Sequence, residues 1–234
     1  MIRKILALLT VSTLLTAAAP LPPQPTPKQS VNANWGTKIA ISPQGGHIIG
    51  NPAAKVKLIE YLSYTCPHCA TFQSESEAAI QLAFIPSGKG SVEIRHYVRD
   101  PVDLAAGVLV NCAPPAKFYK LHQAILHNQN IWAANIGKSN ATIQKRWFTG
   151  PIPARMRAIA ADMHWYEMME NLGYGRVAVD KCLANEALAN RLSNQTDADT
   201  AAGITGTPSF AINGQILAGT HNWHLLQPQL DARM

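Results

Sequence analysis

The stretch Val56-Lys57-Leu58-Ile59-Glu60-Tyr61-Leu62-Ser63-Tyr64-Thr65-Cys66-Pro67-His68-Cys69 decides how this chain is read. Its apolar run, 56–64, has the composition of a buried strand, and two thiols stand where that strand gives way to a helix. Pro67 falls one residue into the helix, where its missing N–H costs least. A helix start carries unpaired N–H groups and partial positive charge, so a thiolate at Cys66 is stabilised and its pKa lowered. Cys69, on the neighbouring position of the first turn, is within reach for a short-loop disulfide. The chemistry indicated is redox chemistry. Cys-x-x-Cys is also half of a zinc site, so the surroundings have to choose.

Working outward, a strand is expected at 55–63 and a helix from Cys66 to about residue 83. Cys69, Phe72, Ser76, Ala79, Ile80 and Ala83 share one helical face, which turns Cys69 inward and leaves Cys66 at the exposed tip. A second strand is read at 91–98, where Val92, Ile94, His96 and Val98 alternate. From 102 to 192 the chain is Ala-rich with helical spacing, broken by an Asn/Gly/Ser-rich patch at 128–140 and by Pro151 and Pro153. It reads as an inserted bundle of about four helices. Strand character returns at 209–212, followed by the hairpin signal Asn213-Gly214, a strand at 215–218 and an amphipathic helix at 222–232. No internal repeat is present. The order describes an α/β sheet, 35–101 and 193–234, split by a helical domain at 102–192. The hairpin must return to the cysteines, and Thr205-Gly206-Thr207-Pro208 is the loop placed to do so, its proline unable to donate to the sheet.

With 234 residues, 47% of them hydrophobic, the chain can bury one good core. Arg3 and Lys4, an apolar run at 5–19 and Pro-rich sequence beyond it have the layout of a secretory signal peptide, 1–19, cut near Ala18 or Ala19. The run is shorter than the roughly 20 residues of a membrane span, so an uncleaved anchor is the lesser alternative. The segment 20–27 is expected to be extended and semi-rigid, within a Pro-rich disordered leader at 20–34. With no cysteine in or just after the apolar run there is no lipid attachment point, and a soluble exported protein is expected. The net charge of +6 is mild and no Lys/Arg run suits nucleic acid.

Four further readings concern individual residues. Glu60 shares the strand face of Val56, Leu58 and Leu62, so it points into the core, where its pKa rises and it can exchange a proton with Cys69; pairing with a lysine such as Lys57 is the alternative. An imidazole at His68, between the thiols, lowers the Cys66 pKa further, either as a cation or as a hydrogen-bond donor. Cys112 and Cys182 are either small buried hydrophobes or, given four cysteines in an exported chain, a structural disulfide worth about 4 kcal/mol for so long a loop. Met163-His164 with Met168-Met169, and His221 with His224, carry metal-ligand chemistry, but such spacing usually marks packing; Trp165 and Trp223 read as core.

The block Glu60 to Cys69 and the later Gly206-Thr207-Pro208 make the chain resemble the DsbA-like thiol:disulfide oxidoreductases of the bacterial periplasm, which have the thioredoxin fold. The resemblance runs from about His47 to the C-terminus and includes the place of the helical insertion. It implies a thioredoxin-like fold with an inserted helical domain, a cis Thr207–Pro208 bond, and a substrate groove shaped by Thr207 and Pro208. It implies Cys66 as the attacked sulfur with Cys69 as partner, tuned by Pro67, His68 and Glu60, and no cofactor. The implied partners are reduced exported clients and a membrane or periplasmic redox protein that resets the disulfide. Cys-Pro-His-Cys is the choice of the strongly oxidising members, so an oxidase is expected. A disulfide isomerase or reductase is the alternative, because Thr207 matches the isomerases where the best-known oxidase has valine. Isomerases also carry an N-terminal dimerisation domain, for which the leader leaves no room, so a monomer is expected. The remaining rival is a soft-metal-binding thiol protein; two thiolates fall short of the four ligands of a closed zinc site, and no metal is expected.

Overall fold

The computed structural model describes residues 34–234. The signal-peptide reading of 1–19 and the leader reading of 20–34 fall outside the described residues, Asn34 excepted. In chain order the elements are β1 (Ile39–Ile41), β2 (His47–Gly50), β3 (Val56–Leu62), α1 (Pro67–Ala79), β4 (Gly90–His96), α2 (Pro101–Asn111), α3 (Pro115–His127), α4 (Gln129–Lys138), α5 (Ala141–Phe148), α6 (Ile152–Asp162), α7 (Trp165–Asn171), α8 (Arg176–Leu183), α9 (Glu186–Ala201), β5 (Ser209–Ile212), β6 (Gln215–Ile216) and α10 (Trp223–Asp231).

The six strands form one sheet in the order β1-β2-β4-β3-β5-β6. β3 lies inside it, parallel to β4 and antiparallel to β5, which explains why its sequence is so apolar: both edges are hydrogen-bonded and most side chains are covered. Parallel β3 and β4 need a crossover, and α1 supplies it. The 213–214 turn has positive φ at both Asn213 and Gly214, the conformation a two-residue hairpin requires. β1 and β2 were not anticipated. They are short, and β2 ends on Gly50 at φ +105, where a Cβ would come within 3.2 Å of the Gly90 carbonyl.

α1 does not stop at Ala79 but continues through a π turn, Ile80–Phe84, closed by Ile85 N–H donating to the Ile80 carbonyl at 3.0 Å. The extra residue advances the buried face, so Phe84 and Ile85 enter the core while Ala83, expected there, is exposed.

Between β4 and β5 stand eight helices rather than about four. Polar side chains cap several of them: Asp100 accepts from Asp103 N–H, Asn140, the last residue of the patch read as a break, from Ile143 N–H, and Asn185 from Leu188 N–H. The 128–140 patch is itself mostly helix, α4, anchored by buried Trp132, whose Nε1 donates to the Ile125 carbonyl at 2.8 Å. The expected junction at 192/193 falls inside α9, which is tied to the sheet by an Arg95–Asp199 ion pair at 3.3 Å. Cys112, at the end of α2, is disulfide-bonded to Cys182 of α8, with Cα atoms 5.6 Å apart. One apolar cluster runs from Leu58, Leu62 and Phe210 of the sheet through Phe72 of α1 to Leu109, Met156 and Trp165 of the helices. α10 seats Leu226 and Leu230 in that cluster and sets Trp223 edge-on to Phe72, ring centroids 6.2 Å apart.

Candidate active site

β3 delivers the chain through Ser63 to Thr65 onto Cys66, which is the N-cap of α1 in extended conformation (φ −87°, ψ 116°), with Pro67 as the first helical residue. Cys69 follows in the first turn, fully buried at 0% exposure. Both are free thiols. The expectation of an exposed Cys66 is corrected: it is 2% exposed, because the loop before β5 folds over it and places the Thr207 carbonyl 3.2 Å from its sulfur. Thr207–Pro208 is the one cis peptide among the described residues.

The two thiols are driven in opposite directions. Cys66 is lowered to about 4, chiefly by the hydrogen bond that the Cys69 thiol makes to it. Burial opposes this; the buried Thr207 hydroxyl, which has no other partner, and the N–H groups of Cys69 and His68 reinforce it. Cys69 is raised well above 9.0 by burial first, then by the same hydrogen bond and by the charges of Cys66 and Glu60. The His68 imidazole is exposed, as is Pro67, so the contribution of His68 seen here is its backbone N–H.

Glu60 projects from β3 into the core at 2% exposure, its carboxyl pushed up to about 8 by burial. Lys57, on the opposite face of the same strand, is itself exposed and does not pair with it. Oε1 of Glu60 has no hydrogen-bond partner among the described residues and lies beside a cavity of about 10 Å³, shared with Gln73, Ser76, Gln81 and Tyr119.

Several residues that hold the site gave no sequence signal. Gln129 of α4 donates through Nε2 to the carbonyls of Tyr64 (2.7 Å) and Cys66 (2.9 Å), so the insertion grips the backbone on both sides of Thr65. Asp103 of α2 accepts from the N–H groups of Tyr64 (2.7 Å) and Arg99 (2.9 Å), its carboxyl raised to about 7 by burial. The buried Tyr64 hydroxyl lies between His96 Nε2 (2.8 Å) and His122 Nδ1 (3.1 Å). Burial lowers His122 to about 3, and burial with the Arg191 charge lowers His47, stacked on Phe118, to about 4. Met163 and Met169 pack in the core, while His164, His221 and His224 are exposed. The cavity of about 560 Å³ beside the Cys112–Cys182 bond is remote from this chemistry and lined mainly by apolar groups such as Met169 and Val179.

Comparison with known proteins gives three findings. A family model described as thioredoxin matches residues 42–232. A Rickettsia bellii protein named as a protein-disulfide oxidoreductase is 27% identical over 173 residues, 71% of this chain and 56% of its own length, so this chain spans about half of that relative. Among solved structures, a protein-disulfide isomerase from Novosphingobium aromaticivorans is 45% identical with a TM-score of 0.78, covering 81% of this chain and 97% of its own. Wolbachia pipientis alpha-DsbA1, 23% identical with a TM-score of 0.61 over 82% of this chain and 92% of its own, shares the fold.

Proposed function

We propose, from the premise that this chain belongs to the thioredoxin family, that it is a DsbA-like thiol:disulfide oxidoreductase acting as an oxidase on exported proteins. The observation carrying this reading is Cys66 at the start of α1, facing a set of donors that bind a thiolate: the Cys69 thiol, the Thr207 hydroxyl, and the N–H groups of Cys69 and His68. Those interactions stabilise the reduced enzyme and are weakened when Cys66 is in a disulfide, so they make the couple oxidising. At neutral pH a thiol at about 4 lies some three units below ambient, which is roughly 90 mV for a two-electron couple.

In the forward reaction a substrate thiolate attacks the Cys66 sulfur of the Cys66–Cys69 disulfide. The S–S bond breaks, its electron pair leaves on Cys69, and a mixed disulfide forms. Cys69 then takes a proton, for which Glu60, still protonated at neutral pH, is the buried donor. A second substrate thiolate attacks the substrate sulfur and releases Cys66 as its thiolate. Substrate loses two electrons and the enzyme gains them. A membrane or periplasmic redox partner restores the disulfide. Thr207 and Pro208 shape the groove over Cys66, and Cys112–Cys182 is structural. Export to the periplasm is part of the proposal, supported by the composition of residues 1–19, as is action as a monomer.

Isomerisation is the second reading, favoured by Thr207 and by the name of the Novosphingobium relative. The test is equilibration with glutathione, alongside refolding of a reduced and of a scrambled multi-disulfide substrate. The oxidase reading expects an oxidising potential and faster oxidation of the reduced substrate. A potential near that of a thioredoxin, or rescue of scrambled substrate exceeding oxidation, rejects it.

A further inference from the structure

In the loop over Cys66, three consecutive carbonyls each contact one side-chain donor. The Ser209 hydroxyl donates to Gly206 (2.7 Å), the Cys66 thiol to Thr207 (3.2 Å) and His221 Nδ1 to Pro208 (2.9 Å). A carbonyl only accepts, so Nδ1 of His221 carries its hydrogen. We propose that His221 is a positioning residue of the thiol site, holding the cis-proline loop against the Cys66 sulfur through the Pro208 carbonyl.

The surroundings of His221 suit it to that task. Thr220, before it, is buried, and its hydroxyl accepts from Gln229 Nε2 at 2.9 Å. Asn222, after it, caps α10 by accepting from Leu225 N–H at 2.9 Å. α10 is locked by buried Leu226 and Leu230, and Trp223 sits edge-on to Phe72 of α1, the helix that starts at Cys66. The backbone on both sides of the imidazole is therefore fixed relative to α1, and the ring spans from that fixed point to the loop. Strand pairing of β5 with β3 begins only at Ser209, opposite Tyr61, so Gly206 to Pro208 lie beyond the sheet and depend on these side-chain bonds. The ring itself is exposed, so its removal sacrifices the bond and little packing.

The consequence falls on Cys66. Of the two Thr207 groups at that sulfur, the carbonyl accepts from the thiol and favours its protonated form, whereas the hydroxyl is the donor that lowers its pKa, and a loop released at Pro208 withdraws that donor. Nδ1 carries a hydrogen in the imidazolium and in this neutral tautomer alike, so the tie persists whichever form is present.

The inference rests on Cys66 being the reacting thiol, and not on the direction of exchange. The experiment compares full-length His221→Ala, His221→Asn and His224→Ala with the parent protein. It follows thiolate absorbance of the reduced form against pH and equilibrium with glutathione. Loss of one bond supporting a charged site predicts a Cys66 pKa about one unit higher in His221→Ala and an equilibrium about tenfold less oxidising. His221→Asn, whose amide can reach the same carbonyl, restores most of both, and His224→Ala behaves as the parent. A His221→Ala titration that overlays the parent overturns the proposal, and so does a His221→Asn variant as impaired as the alanine. The titration needs no turnover, so rejection of the oxidase reading by the refolding assay leaves this result readable.

Discussion

Replacing Glu60 by Gln is expected to stabilise the protein in a pH-dependent way. The carboxyl is fully within the core, and burial pushes it up to about 8 from an ordinary 4.5. The folded state thus holds this proton more tightly than the unfolded state does. For an acid with a raised folded pKa, stability is complete below 4.5, falls as pH rises towards 8, and is level beyond. Integrated from about pH 5 to pH 8, that is a loss of about 3 kcal/mol assignable to this one group. Gln keeps the shape but cannot ionise, so the stability gap between Glu60→Gln and the parent should widen by that amount over the interval. Urea unfolding of the oxidised protein, in which neither active-site thiol titrates, measures the gap at each pH. Stability curves that stay parallel from pH 5 to pH 8 would refute the reasoning, since they would place Glu60 in an environment no different from water.

Three further outcomes follow from the same geometry. Alkylation of the reduced protein near pH 5 should label Cys66 and spare Cys69, since the first is lowered to about 4 and the second is raised; peptide mapping that finds Cys69 labelled first reverses the assignment. Gln129→Ala removes the donor to the Tyr64 and Cys66 carbonyls and should cost about 1–3 kcal/mol in urea unfolding; unchanged stability would mean those bonds contribute nothing. Removing both Cys112 and Cys182 should cost up to about 4 kcal/mol while leaving the Cys66 titration in place, and a shifted titration would show the bond is coupled to the active site.

What was legible in the sequence was local. β3 is covered on both faces and so reads as an apolar run; Pro67 marks the first helical residue; Asn213-Gly214 is read from the positive φ that its turn demands. Glu60 was also legible, because its neighbours on the strand reveal which face is buried. β1 and β2, three and four residues long, fall below the length at which alternation can be counted. The π turn shifts the face of α1 without any Gly or Pro to announce it. Asn140 looked like part of a break because a capping side chain and a loop side chain are the same residue in sequence. Gln129, Asp103 and His221 escaped for a different reason. Each is a polar residue whose role is fixed only by a backbone group dozens of positions away or across a turn, and no periodicity encodes that pairing.

The opposed shifts of Cys66 and Cys69 bear on which exit the mixed disulfide takes. Two thiolates can attack it: Cys69, which would expel the substrate unchanged, and a second cysteine of the substrate, which would release it oxidised. Only the thiolate attacks, so the fraction of Cys69 that is ionised sets the rate of the first exit. In the dithiol, burial together with the charge of Cys66 keeps Cys69 a thiol at neutral pH. When Cys66 is bound to substrate it carries no charge, and that part of the hindrance disappears, but burial, the largest cause, remains. Glu60, having passed its proton to Cys69, is then a buried carboxylate whose charge further opposes ionisation of that thiol. Escape through Cys69 is slowed while attack by a solvent-exposed substrate thiol is not. The depth of Cys69 makes it a poorer leaving group in the first attack on Cys66, and in the mixed disulfide of the proposed oxidase it biases the second step towards completed oxidation of the client.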